Sequence, residues 1–313
     1  MKKILGLCVL LLTACSDKTD TDNANQFKYL TDLNVEILEL VAAMPVEFPK
    51  AIEPSGLIMR DDSLFTVSDD HDHTIFYIDC NIEEQRATCK RYLKFDAPKI
   101  HGVDDLDLEG ITVDGDGNFY LVSEKAFRIL KIEKGSNKVS WVTHDLKPYG
   151  REVGLFQKKN ADFEGITWLG DHKFLLAAER EPRGFIQLDL DKIPKGIKAY
   201  RQDHSILEPP KHRNPDYSGL HFDGKNIYAL ERSIHAVTRI EITDGKIIEK
   251  AVWSYAHVEN AEEWQYRDME FGHAEGLFIN ENYVYIILDN NGERRLINKK
   301  DRRPLMFVFK RGE

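Results

Sequence analysis

Carboxylates recur at fixed intervals along this chain, and their spacing is the first sign of chemistry. Glu109, Glu164 and Glu275 each stand directly before a glycine, and Ser55 and Ser218 take that place in two further copies. Thirteen to fifteen residues later each copy ends a β-rich run in a second acid: Asp69, Glu124, Glu179, Glu231 and Asp289. Eight carboxylates gathered around one point would repel one another unless something neutralises them. One solution is a hard divalent cation held by Glu109, Glu164, Glu275 and the five later acids, for which oxygen donors suit Ca²⁺ better than zinc. Another is a set of ion pairs with Lys125, Arg180, Arg183 and Arg232. A third is hydrogen bonding to backbone N–H groups of a neighbouring segment. Some of the acids can also serve as proton donors or acceptors. Glu164 is the carboxylate candidate for catalysis, with His101 and His273 as candidate bases beside the Glu109 and Glu275 motifs. Arg180, Arg183 and Arg232 are candidates to hold an anionic substrate.

Other local patterns carry less. Asp69-Asp70-His71-Asp72-His73 has metal-ligand residue types at alternating positions, as a solvated polar loop also does. Gly219 to Lys225 is spelled like a phosphate loop, but Asn226 stands where Ser or Thr is required and no helix follows. Asp114 to Asn118 begins like an EF-hand loop yet lacks its sixth-position Gly and terminal Glu, so it reads as a turn. Neither G-x-S-x-G nor H-E-x-x-H occurs, which argues against a serine-hydrolase elbow and a zincin.

The acids need a scaffold that repeats as they do. The glycines at 56, 110, 165, 219 and 276 are separated by 54, 55, 54 and 57 residues. Each is followed by a short β-rich run, a turn and a second run, and then usually by two more strand-like runs. Four short strands per period of about fifty residues describe a β-propeller blade. The fold class is therefore all-β, with five four-stranded blades in one domain over 27–313. The last blade lacks a strand, and residues 27–50 precede the first. An N-terminal strand that completes the last blade would close the ring and remove exposed sheet edges. Six blades is the alternative. Helical periodicity is almost absent, NVEILELVAAM being the one ambiguous stretch. A turn centred between the paired positions sets Glu109 opposite Glu124 and Glu164 opposite Glu179. The acids then share one end of the channel with the long connections 97–108, 147–163, 205–217, 256–274 and 290–303. Long loops over a rigid scaffold are where sites are built.

The ends and the charge bound the setting. Lys2 and Lys3, an apolar run and Leu12-Thr13-Ala14-Cys15 make a signal over 1–14 with cleavage before a lipidated Cys15. Residues 15–26 read as a lipid-bearing tether. Ser16 after the cysteine favours the outer membrane, so the expected location is the cell envelope, facing the periplasm. With 53 acidic against 43 basic residues the chain carries a formal charge of −10. That disfavours nucleic acid and anionic lipid as partners and suits cations. Export permits a disulfide, and Cys80 and Cys89 flank a hairpin, so they are expected to pair. Nothing in the sequence calls for an oligomer, and a monomer is expected.

The series EPSGL…SDD, DLEGIT…SE, DFEGITW…AERE and YSGL…LERS resembles the propeller family named for "esterase-like activity of phytase". It is similar also to the SdiA-regulated group of secreted or membrane-attached propellers, which share the D-x-E-G-[IL] phrase. The resemblance covers roughly residues 50–290. It implies ester or phosphoester hydrolysis with Ca²⁺, carried by Glu109, Glu164 and Glu275 before Gly and by Glu124, Glu179 and Glu231 after the second strand. Ser55 and Ser218 depart from the pattern and break any symmetric metal ring. Two expectations follow: a metal-dependent hydrolase of a small ester or phosphoester, or a non-catalytic propeller that binds a ligand or protein at the same face.

Overall fold

The computed structural model describes residues 35–210, 213–267 and 272–312. The signal segment, Cys15 and the tether lie outside the described residues. Among the described residues the strands gather into antiparallel groups of four; four of these groups are consecutive in sequence, the last takes its outer strand from the N-terminal side and joins the first through a parallel pairing, and Glu36–Ile37 adds a short parallel strand to the fourth. Their first strands are Pro54–Arg60, Leu108–Val113, Phe163–Gly170, Gly219–Phe222 and Ala274–Ile279. These five pack side by side in a closed circle, each touching the next and the last touching the first. The second strands are unbroken apolar runs such as FYLVS and VYIIL, buried at nearly every position. Such runs form where a sheet is covered on both faces, and here each sheet is sandwiched between two others.

The core follows from that stacking. The buried apolar side chains fall into clusters that each join two neighbouring sheets. Phe65 and Val67 of the first sheet pack with Ile111, Phe119 and Leu121 of the second, for example. The ambiguous N-terminal stretch is a strand, Leu40–Glu47, paired antiparallel with Leu305–Lys310 as the outer member of the last sheet. Its end also pairs in parallel with the first sheet, Val46 with Ala87 and Glu47 with Thr88. One strand thus ties the two chain ends into the ring and leaves the last sheet no open edge there.

The recurrent glycines are where the first strands meet. A Cβ on Gly110 would lie 2.8 Å from the carbonyl oxygen of Glu164. On Gly56 it would lie 2.9 Å from the Ile111 nitrogen, on Gly165 2.9 Å from the Leu220 nitrogen, and on Gly219 2.9 Å from the Glu275 oxygen. On Gly276 it would lie 2.7 Å from the carbonyl carbon of Gly56, which closes the circle. No side chain fits between these backbones.

Two expectations are corrected. Glu109 does not face Glu124. The register runs Leu108 to Ser123 and then Gly110 to Val122, so Glu109 sits in a bulge. The Glu124 N–H instead donates to the Asp107 carbonyl at 2.9 Å. The same shift follows Phe163 and Ala274, where the Glu179 N–H donates to Asp162 and the Asp289 N–H to His273. Cys80 and Cys89, for their part, are free thiols. Cys80 faces Ala87 and Cys89 faces Ile78, so the two are diagonal neighbours on one face of the sheet. Diagonal pairs lie about 7–8 Å apart, too far for a disulfide. Both pack in the apolar layer between the last and first sheets, and burial raises the Cys80 thiol to about 11 and Cys89 to about 12.

Replacing Gly110 by Ala tests the close approach of the first strands. The added methyl must push the second and third sheets apart, at a cost of about 1–3 kcal/mol. A urea unfolding midpoint unchanged from the parent chain would contradict the contact.

Candidate functional site

The bulges decide where the acids point. An extra residue in one strand re-aims the side chain at that position, and Glu109, Glu164 and Glu275 all stand at such an irregularity, directly before a crowded glycine. They converge at one end of the channel, close enough that each feels another's charge. Burial, and then the charges of Glu164, Asp69 and Glu275, hold the Glu109 carboxyl well above the usual range. Burial likewise raises Glu164 to about 8, against the pull of the Arg232 guanidinium. The two serine copies relieve the crowd. Ser218 Oγ donates to the Ala274 carbonyl at 2.6 Å and so ties the fourth sheet to the fifth.

One side of the cluster is neutralised by arginine. Arg232 Nε donates to Asp216 Oδ2 at 2.9 Å, Nη1 binds Glu275 Oε1, and Nη2 binds Glu179 Oε1. Glu164 Oε1 lies 3.9 Å from the same guanidinium. Glu179 also binds Arg180, whose Nη2 donates to the Asn160 carbonyl at 2.8 Å. Above these ion pairs opens a cavity of about 410 Å³, whose walls include Arg180, Arg213, Arg232, Ser233 and His273. Asp216 clamps its floor, since its other oxygen accepts the Ser233 N–H at 2.9 Å.

The other side has no arginine. Carboxylate oxygens of Glu53, Asp69 and Asp289 lie within 4.8 Å of one another, and so do those of Asp69, Asp107 and Glu109. Among the described residues no Lys or Arg pairs with Glu53, Asp69, Glu109 or Asp289. Burial, then the charges of Asp289 and Glu53, push Asp69 up to about 8. Burial pushes Asp289 up to about 7, although the Asn291 N–H binds it. Glu275 is buried, and its Oε2 has no hydrogen-bond partner. The donor set is all carboxylate oxygen at mutual distances that suit a cation with oxygens at 2.3–2.6 Å, so these residues fit Ca²⁺.

The remaining sequence candidates go elsewhere. Glu231 points away from the channel, with Thr238 donating to one oxygen and Ser205 and Arg183 to the other. Arg183 is only 1% exposed, bonded also to Glu249 at 2.5 Å and stacked 4.1 Å from the Tyr217 ring centre. It joins the third and fourth sheets and reaches no ligand. Glu124 is paired with Lys125 at 2.9 Å. His101 is exposed on its loop, whereas His273 is buried against Tyr266 and lines the cavity. The Asp69–His73 ligand pattern disperses: Asp70 binds Ser68 and His71, and Asp72 accepts the Leu106 and Asp107 N–H groups. The Asp114 and Asp223 segments are turns in which the aspartate accepts backbone N–H groups.

Glu53 and Asp216 are members that the repeated pairs of acids did not reveal. Each stands two residues before the Ser-Gly or Glu-Gly step, as do Asp107, Asp162 and His273. That position lies beside the second-strand acid because its carbonyl accepts that acid's N–H in three of the sheets. The signal was the acid two residues before the Ser-Gly step, as in E-P-S-G and D-Y-S-G.

A family model described as SdiA-regulated matches residues 98–254. No curated protein matches the chain. Among solved structures, glutaminyl cyclase from Myxococcus xanthus is similar over 88% of this chain and 98% of its own, at 11% identity and a TM-score of 0.52. Virginiamycin B lyase from Staphylococcus aureus is similar over 87% and 74%, at 14% identity and a TM-score of 0.41. A luciferin-regenerating enzyme is similar over 86% and 80%, at 12% identity and a TM-score of 0.47. The first of these likenesses supports the β-propeller fold; none speaks to activity.

The raised carboxyls make stability depend on pH. Asp69 and Asp289 keep protons in the folded chain at pH values where the unfolded chain has lost them, so the folded state binds more protons between about pH 4 and 8. Stability should therefore fall as pH rises through that window in metal-free buffer. Added Ca²⁺ should restore it more at pH 8 than at pH 5, as thermal unfolding at both values would show. Asp69→Asn should flatten the slope.

Proposed function

Since the chain belongs to the SdiA-regulated family, we propose that it is a lipid-anchored propeller of the cell envelope that binds a divalent cation, Ca²⁺ first, and hydrolyses an ester or phosphoester. The observation that carries this reading is the uneven neutralisation of the acid cluster. Arg232 serves one side, while Glu53, Asp69, Glu109 and Asp289 crowd together on the other without an ion pair among the described residues, Lys125 reaching only Asp107 at their edge. A cation bound there would polarise a carbonyl or phosphoryl oxygen and activate a water. Arg180, partly exposed on the cavity wall, would orient an anionic part of the substrate. Glu164, raised to about 8, keeps its proton at neutral pH and would give it to the leaving oxygen. His273 lines the cavity and stays a candidate base; His101, exposed on its loop, does not.

A second reading is a non-catalytic propeller that binds a ligand or protein at the same face: the cavity walls at Arg180 and Arg232 offer positive charge to a bound anion whether or not a reaction follows. The anchor rests on Leu12-Thr13-Ala14-Cys15, and Cys15→Ala should move the chain from the membrane fraction to the soluble one.

Elemental analysis of the dialysed protein should find Ca²⁺. Asp69→Asn with Glu109→Gln should weaken its binding at least tenfold. Chromogenic esters and phosphoesters should be hydrolysed by the parent chain, and neither with chelator nor by Glu164→Gln. Bound metal without hydrolysis would leave the second reading standing; absence of bound metal would remove the first.

A further inference from the structure

A second cavity, of about 440 Å³, opens beside the 147–163 connection between the second and third sheets. Lys125, Lys147, Arg151, Lys158 and Lys159 line it, against the acids Glu124 and Asp162. In a chain of net charge −10, five cations around one hollow run against the overall field. Three of them are partly neutralised. Lys125 binds Glu124 and Asp107, Lys147 lies 3.5 Å from Asp162, and Lys158 lies 2.9 Å from Glu181. Arg151 and Lys159 are exposed and form no ion pair among the described residues.

The base of this cavity is rigid. Phe127 and Phe156 pack edge to face with ring centres 5.2 Å apart, and both hold left-handed backbones, φ 51° and 57°. Bulky residues seldom adopt that conformation, and it persists only where the surroundings enforce it. Lys147 Nζ sits 3.9 Å from the Phe127 ring centre. The short helix Lys147–Glu152 lies on the Phe156 ring, so close that a Cβ on Gly150 would meet it at 2.2 Å. Lys147 and Arg151 are thus carried on a fixed floor, which lowers the ordering cost of binding.

We propose that this cavity is an oxyanion site for a ligand bearing more than one phosphate group. A diphosphate matches the two cations without ion pairs, Arg151 and Lys159, backed by three partly neutralised lysines: Arg151 offers the planar fork that grips phosphate oxygens, and the lysines supply point charges. The site needs no metal, so it stands or falls separately from the cation reading.

Isothermal titration of the full chain with inorganic pyrophosphate in metal-free buffer tests it, with vesicles of cardiolipin, a lipid that bears two phosphates, as a second arm. Binding should weaken as salt is raised. Arg151→Ala with Lys159→Ala should weaken it at least tenfold while the urea unfolding midpoint stays put. Lys138→Ala with Lys246→Ala, two cations outside the cavity, should leave it unchanged. Binding in either arm that is lost in the Arg151/Lys159 variant supports the site, and the arm that responds names the source of the phosphate. Binding in neither arm, or binding indifferent to that variant, overturns it.

Discussion

The close approach of the five first strands, backbone against backbone at glycine, is the contact on which the rest of this propeller depends. At each crossing a Cβ would fall within 2.9 Å of the neighbouring strand. Real Cβ atoms do not tolerate that distance, so the side chain must be absent and the strands can draw together around a narrow channel. The neighbouring bulge follows the same logic. It lets the strand bend into the crossing, and it turns the preceding residue away from the sheet ladder. That residue is a glutamate in three sheets and a serine in two. One geometric requirement therefore places both the ring and the functional groups within it.

Gathering acids on an axis creates an electrostatic problem that the chain solves in two ways. Two carboxylates 4 Å apart repel by about 4 kcal/mol at an effective dielectric constant near 20. Several such pairs would threaten a fold whose net stability is about 5–15 kcal/mol. On one side the Arg232 guanidinium reaches three carboxylates at once, each through a different nitrogen. On the other side no guanidinium forms an ion pair, and burial first, then neighbouring charge, shifts Asp69, Glu109 and Asp289 toward their protonated forms instead. A carboxyl that holds its proton through burial and neighbouring charge is poised to release it to a cation. The two solutions differ in consequence: the arginine is permanent, and the protons are exchangeable.

Much of this was legible in the sequence, because a repeat leaves its period in the chain. The spacing of the glycines announced the sheets, and the missing strand at the C-terminal end announced the role of Leu40–Glu47. What failed was anything one residue or one direction away from the period. Turn-centred counting treats the hairpins as regular, so the bulge displaced Glu109 from Glu124 and hid Glu53 and Asp216 beside the second acids. Arg183 and Arg232 look alike in sequence, each near an acid at the end of a second strand. Arg232 follows its acid directly and turns into the channel. Arg183 opens the third strand of its sheet, so its side chain lies between sheets, against Glu231 and Glu249. Cys80 and Cys89 sit on the same face of one hairpin, yet a register offset separates them diagonally, which spacing alone does not reveal.

The broken symmetry of the ring is what gives it a site. Five identical glutamates would share their charge evenly around the axis, and a single ion on that axis would be the only place of balance. Ser218 removes one glutamate from the fourth sheet and spends its hydroxyl on the fifth. That leaves room on this side for Arg232, which comes from the same sheet and draws Glu179 and Glu275 toward it. The uncompensated charge is thereby displaced toward the first, second and fifth sheets, where Asp69, Glu109 and Asp289 meet Glu53. Beside the arginine lies an open cavity, and beside the bare carboxylates lies a place for a cation. A ligand that bridges the two would touch positive charge at one end and a metal at the other, a polarity that no five-fold ring could offer it.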